Sequence, residues 1–305
     1  MRTGGRRALA LALARIEAAA NDAATTALLD AAHQEARAQV IGLTGPPGVG
    51  KSTLIARLID AVRAEGRSVG VIAIDPSSRQ SGGALLGDRV RLALDEDPGV
   101  FVRSMAARGR LGGLAAEAFA AVVLMRALYD RVIVETVGVG QSETDIATVA
   151  DTIVLCVQPG SGDSLQYLKA GIAEIPDIAV IGKADLGSMA VKAERDLEAA
   201  LALERRADGW AVPVVPVSGS KAQGVAELMR AIADHARHLA QRGRLDARRR
   251  AQAEHWLAEA VRDELGRHGL ERARRAGALT LVPGQGPFGA LSALIARLLE
   301  PPAAT

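Results

Sequence analysis

The chain has 305 residues, 49% of them apolar but only 2% aromatic, with 37 basic and 35 acidic side chains that leave a formal charge of +2. Such a length holds one large α/β domain with helical additions, and the near-neutral balance gives no bulk reason to expect a nucleic-acid partner. A single cysteine, Cys156, excludes a disulfide framework, and five scattered histidines do not form a metal-binding pattern.

Residues 6–38 are alanine-rich and helical in pattern, with Asn21 and Asp22 as a break between two helices. The start, Arg6 to Ala14, has the look of a basic region followed by a short apolar one, but Arg15 and Glu17 cut the apolar run short. Leu9, Leu13 and Ile16 fall on one helical face, so an amphipathic helix in a cytoplasmic protein is expected, with no membrane span. From Val40 the pattern alternates: strand 40–44, a helix to about Ala64, a Glu65-Gly66-Arg67 turn, and a strand from Ser68 to Ile74 closed by Asp75-Pro76. Residues 77–83 are rich in serine and glycine and read as a mobile switch loop. Strands at 100–103, 131–135, 152–157, 178–182 and 212–217 follow, one helix expected over 113–129, and Cys156 is expected as a small buried hydrophobe. The fold class is α/β: a P-loop NTPase with a mainly parallel sheet flanked by helices, plus N-terminal and C-terminal helical extensions. The expected divisions are 1–39, a nucleotide-binding domain at 40–235, and a helical region at 236–305.

Between the first strand and its helix stands Gly45-Pro46-Pro47-Gly48-Val49-Gly50-Lys51-Ser52-Thr53, a complete G-x-x-x-x-G-K-[ST] loop. A triphosphate needs many donors aimed at its oxygens, and glycines let successive backbone N–H groups line a concave nest at a helix N-terminus. Lys51 is assigned to the β- and γ-phosphates and the Ser52 hydroxyl to Mg²⁺. After strand 131–135 comes Glu135-Thr136-Val137-Gly138, spaced like a D-x-x-G switch, in which Glu135 holds Mg²⁺ through water and Gly138 senses the γ-phosphate. Asp75 and Asp88 are further carboxylates for Mg²⁺ or water, with helix capping the alternative for Asp88. Val139 follows the switch glycine where a water-orienting glutamine is used in related enzymes, so either Gln141 serves or turnover is slow without a partner.

The base-reading loop N-K-x-D is represented by Gly182-Lys183-Ala184-Asp185. Lysine and carboxylate are in place and favour guanine, because adenine would leave Asp185 without donors to accept. Glycine stands where asparagine is usual, which predicts weaker guanine binding or a looser loop. Ser218-Gly219-Ser220 is placed beside the base O6.

These segments, with Val71 to Ser78, Gly87-Asp88-Arg89, Arg108 to Leu114, Glu135 to Glu143 and Gln158 to Gln166, resemble the MeaB/ArgK group of SIMIBI-class GTPases, relatives of the methylmalonic aciduria type A protein. The resemblance spans about residues 5–235. It implies GTP/GDP and Mg²⁺ as ligands, and a metallochaperone for an adenosylcobalamin-dependent acyl-CoA mutase acting on methylmalonyl-, isobutyryl- or 2-hydroxyisobutyryl-CoA. It also implies a homodimer, an adenosyltransferase as a further partner, and a third switch at Gln158, Asp163, Gln166 and Lys169 that relays the mutase to the nucleotide. A solvated lysine and a capping aspartate are the plain alternatives for Lys169 and Asp163. The stripe Trp256, Leu257, Val261, Leu265 suits either a dimer interface or the monomer's own core. Competing readings are a small-molecule kinase of the arginine-transport type, for which no arginine-rich lid is present, and a metal-insertion GTPase.

Overall fold

The computed structural model describes residues 5–18, 22–75, 97–106, 116–136, 145–160, 175–203 and 206–299. Two compact units are distinguished, one of residues 1–38, 115–128 and 246–305, the other of residues 39–114 and 129–245.

The second unit carries the sheet. Its strands are β1 (Gln39–Thr44), β2 (Val69–Asp75), β3 (Val100–Ala106), β4 (Arg131–Thr136), β5 (Thr152–Val157), β6 (Ile178–Ile181) and β7 (Val214–Pro216). They lie in the order β3-β2-β4-β1-β5-β6-β7, every neighbouring pair parallel. The helices of this unit include α3 (Lys51–Ala64), α5 (Ser188–Leu201) and α6 (Val225–Ala240). Parallel strands buried on both faces need unbroken apolar runs, and the alternation of side chains sends neighbours to opposite sides. Val154, Cys156, Ile178 and Val180 pack with Ile55, Leu58 and Ile59 of α3 and Leu228 and Ile232 of α6. Leu155, Val157, Ala179 and Ile181 pack with Ala190, Leu197 and Leu201 of α5 on the other face. The sheet is thus flanked by helices on both sides, as the sequence pattern predicts. The expected strand 212–217 is shorter, because β7 pairs only with β6 at the sheet margin, and the expected strand 100–103 runs on to Ala106 along β2.

Buried carboxylates finish the amino edge of this sheet. Asp151 accepts the Val40 N–H at 2.8 Å and Asp177 the Ile153 N–H at 2.9 Å, while Arg206 Nη2 bonds Asp177 Oδ1 at 3.0 Å. Each satisfies a strand N–H that water cannot reach.

The other unit is helical. It contains α1 (Gly5–Glu17), α2 (Ala23–Gln34), α4 (Ala116–Leu128), most of α7 (Arg244–Arg275) and α8 (Pro287–Leu299). Leu9, Leu13 and Ile16 of α1 are buried, as the amphipathic reading expects. The break before α2 is chemical: Asp22 Oδ1 accepts the Thr25 N–H at 2.9 Å and caps the helix. Asp30 of α2 reaches the start of α8, where it accepts the N–H groups of Phe288 at 3.1 Å and Gly289 at 2.8 Å. Phe119, Trp256 and Phe288 form one ring cluster, with centroids 5.4 Å apart for Phe119–Trp256 and 4.5 Å for Trp256–Phe288. Trp256, Leu257 and Val261 are therefore buried within the chain itself, and Leu265 is half-buried. Among the described residues no helix is long and apolar enough to cross a membrane.

Candidate active site

Register sets the site. Leu43 of β1 stands opposite Glu135 of β4 and Val154 of β5, so the carboxyl ends of the three central strands reach one edge together. Ligands of parallel α/β sheets bind at such an edge, where the chain departs in different directions.

From Thr44 the chain enters the phosphate loop through Gly45, Gly48 and Gly50 with φ of 135°, 77° and 99°, a backbone region that suits glycine. At Gly45 a Cβ would also overlap the Cys156 carbonyl oxygen, so the loop is pressed against the backbone of β5. Lys51 opens α3 and is 7% exposed. Its Nζ donates to the carbonyls of Gly45 at 2.7 Å and Pro46 at 3.1 Å, which holds the ammonium inside the curve of the loop. A buried ammonium, a helix N-terminus and a glycine-bearing loop thus stand together, the elements of an anion site.

Beside it, Ser52 Oγ donates to Glu135 Oε1 at 3.3 Å. Burial pushes the Glu135 carboxyl above its ordinary value, against the opposing pull of the Lys51 charge and the Ser52 hydrogen bond. Two hard oxygen donors side by side next to a phosphate loop match what Mg²⁺ requires. Behind them the Thr136 and Thr44 hydroxyls share a buried hydrogen bond of 3.2 Å that ties β4 to β1. Cys156 is buried and its thiol is pushed up to about 12 by that burial, so it acts as core rather than nucleophile. The backbone of Asp75 ends β2 in this neighbourhood of strand ends. Asp88, Gly138, Val139, Gln141, Asp163, Gln166 and Lys169 lie outside the described residues, as do the expected switch loop at 77–83 and residue 113 at the start of the expected helix.

A cavity of about 290 Å³ opens between the phosphate loop and the loops after β6 and β7; it is lined among others by Gly182, Lys183, Asp185, Ser218, Gly219 and Ser220. The Ser218 hydroxyl, followed by the local backbone N–H, holds the Asp185 carboxyl below its usual range. Asp185 is therefore a ready acceptor at the pocket. Ser218 is fixed in turn by a paired bridge with Gln223, at 3.0 and 3.1 Å, and its Oγ lies 3.1 Å from that of Ser220. Arg57 of α3 donates to the Gly219 carbonyl at 2.9 Å and pins the same loop.

Gly182 is packed rather than loose. A Cβ there would stand 2.8 Å from the Val49 carbonyl oxygen of the phosphate loop. Its N–H bonds the Val157 carbonyl at 2.8 Å. Lys183 follows with φ 54° and ψ 43°, and its Nζ donates to Gln158 Oε1 at 2.9 Å. Lys51, Ser52, Glu135, Lys183, Asp185 and Ser218–Ser220, all singled out by their motifs, meet at one sheet edge. Arg57 and the Cys156 carbonyl were not foreseen. Arg57 lies one helical turn beyond Thr53, which is the signal that could have found it; the carbonyl has none.

A parallel sheet with this loop on its central strand defines a P-loop nucleoside-triphosphate-binding protein. Residues 7–275 match the family described as "Methylmalonyl Co-A mutase-associated GTPase MeaB". A protein of Pyrococcus horikoshii that carries a GTPase name is 47% identical over 222 residues, covering 71% of this chain and 70% of its own. The "Methylmalonic aciduria type A homolog, mitochondrial" of Mus musculus is 36% identical over 234 residues, 75% of this chain and 56% of that one. Among solved structures, that of a protein named "LAO/AO transport system kinase" superposes with a TM-score of 0.63 at 27% identity, covering 96% of this chain and 99% of that one. The chain belongs to the MeaB family of P-loop GTPases.

Proposed function

We propose that this GTPase couples its nucleotide state to the loading and protection of an adenosylcobalamin-dependent acyl-CoA mutase. The family match over residues 7–275, described as mutase-associated, is the observation that carries this reading. The mouse relative's name, tied to methylmalonic aciduria, points the same way.

In residue terms, the loop Gly45–Thr53 cradles the phosphates with the N–H groups of its non-proline residues, and Lys51 brings its charge to the β- and γ-oxygens, where negative charge grows during transfer to water. Ser52 and Glu135 hold Mg²⁺, which neutralises the phosphate oxygens when bound; Asp75 and Asp88 stand as further carboxylates for it. Asp185 accepts from the donors of guanine, and Ser218–Ser220 close the pocket beside O6. Gln141 or a partner group positions the attacking water, so turnover by the chain alone is slow. Gly138 passes loss of the γ-phosphate to its loop, and Gln158, Asp163, Gln166 and Lys169 relay the mutase. A homodimer, and contact with an adenosyltransferase, complete the assembly.

Phosphate release from GTP and ATP, measured alone and with each candidate mutase, tests this. One mutase should accelerate GTP turnover by about tenfold or more, within the range partners supply to slow GTPases. The kinase name carried by the solved relative favours a second reading, a small-molecule kinase. Phosphate found on an acceptor other than water, with no response to any mutase, selects that reading instead.

A further inference from the structure

Lys183 is one of three non-glycine residues among those described with positive φ, at 54°. Such backbone costs energy and persists where the surroundings enforce it, often at a ligand site. Here the enforcement comes from both sides: the Ala184 N–H bonds the Val217 carbonyl at 3.1 Å, and the Gly182 N–H bonds the Val157 carbonyl at 2.8 Å. Lys183 is among the residues lining the base cavity, and its ammonium is held by the Gln158 carboxamide oxygen at 2.9 Å. Gln158 is the first residue beyond β5, immediately after the carbonyl that takes the Gly182 N–H. Residues 157–158 and 182–183 are thus joined twice, once through backbone and once through side chains.

From this we infer that Gln158 is a positioning residue for guanine recognition, one that orders the Lys183 side chain before the base arrives. A lysine stem is long and loses much rotamer freedom when it closes over a ligand. An acceptor that orders the stem beforehand lowers that loss and tightens binding. Displacing Gln158 releases Lys183 and weakens the nucleotide. By linkage, the bound nucleotide resists that displacement by the same factor. The inference rests on the assignment of Lys183 and Asp185 to the base.

Calorimetry with GDP tests it on the full chain, using Gln158→Ala, Gln158→Glu, Lys183→Ala, the double variant Gln158→Ala/Lys183→Ala, and Asp185→Asn. Gln158→Ala should raise the GDP Kd about two- to tenfold, the net worth of one solvent-exposed hydrogen bond. KM for GTP should rise more than kcat falls. Gln158→Glu keeps an acceptor for the ammonium and should restore the wild-type Kd or tighten it. Once Lys183 is alanine, removing Gln158 should change nothing further. An unchanged Kd in Gln158→Ala overturns the inference, as does a Glu variant as weak as the Ala variant, a loss shared equally by KM and kcat, or additive effects in the double variant. If Asp185→Asn weakens GDP while Gln158→Ala does not, the base assignment stands and only the coupling falls. If Asp185→Asn leaves GDP binding untouched, the base assignment fails and takes the coupling with it.

Discussion

Restoring asparagine at position 182 should harm this protein, although asparagine is what guanine-binding loops usually carry there. The end of β6 lies against the phosphate loop in the space a side chain would need. A Cβ at 182 stands 2.8 Å from the Val49 carbonyl oxygen, 3.4 Å from Val49 Cγ2 and 3.5 Å from the Val157 carbonyl oxygen. The first of these is backbone of the loop that holds the phosphates, so it cannot swing aside like a side-chain tip. Forcing atoms into a packed site costs about 1–3 kcal/mol. Gly182→Ala isolates that steric part, less about 0.4–1 kcal/mol gained by stiffening the unfolded chain. Gly182→Asn adds an amide that must find partners in the same space. If the strain is relieved by moving Val49, GDP binding should weaken about 5- to 150-fold, since each 1.4 kcal/mol is tenfold. Thermal unfolding and GDP calorimetry on the wild type, Gly182→Ala and Gly182→Asn measure both quantities, with Tm falling about 2–4 °C per kcal/mol. An asparagine variant that binds GDP more tightly at an unchanged Tm would refute the close packing.

Glu135→Gln should separate stability from catalysis. Burial raises the Glu135 pKa, so the folded state favours the protonated form; the associated stability is complete at low pH and is lost as pH rises through the folded value. At pH 7.5 the glutamine variant keeps an acceptor for Ser52 and sheds a buried charge, so its Tm measured with chelator should rise, while its GTP hydrolysis measured with Mg²⁺ should fall by about 100-fold or more. A lower Tm would show that the carboxylate stabilises the fold. In the helical unit, Trp256→Ala removes the ring that packs on both Phe119 and Phe288. It should cost about 3–5 kcal/mol in urea unfolding, and a shift below about 1 kcal/mol would mean the cluster is not cohesive.

The phosphate site was legible because its chemistry is written in consecutive residues: the loop needs glycines where φ is positive, and Gly45, Gly48 and Gly50 supply them. The strands were legible because Val, Ile and Leu runs buried on two faces resist other readings. What escaped depends on meetings between distant segments. Nothing near Gly182 announces that Val49 lies against it, so its departure from the usual asparagine reads from sequence as a defect and in the structure as a contact. Gln158 was singled out for a relay, but its bond to Lys183 spans 25 positions and has no local signature. The Asp30 cap on α8 crosses more than 250 positions, beyond any periodicity argument. The stripe at Trp256 could not choose between an interface and a core until Phe119 and Phe288 were found against it.

In the proposed role, the state of one guanine nucleotide governs cofactor delivery to a B12 enzyme. The most direct measurement follows adenosylcobalamin entering a cofactor-free mutase by visible absorbance, with this chain present and loaded with GTP, GDP or a non-hydrolysable analogue. Transfer should differ between GTP and GDP in the wild type and show no nucleotide dependence in Lys51→Ala. Identical transfer by the wild type in every nucleotide state would contradict that role.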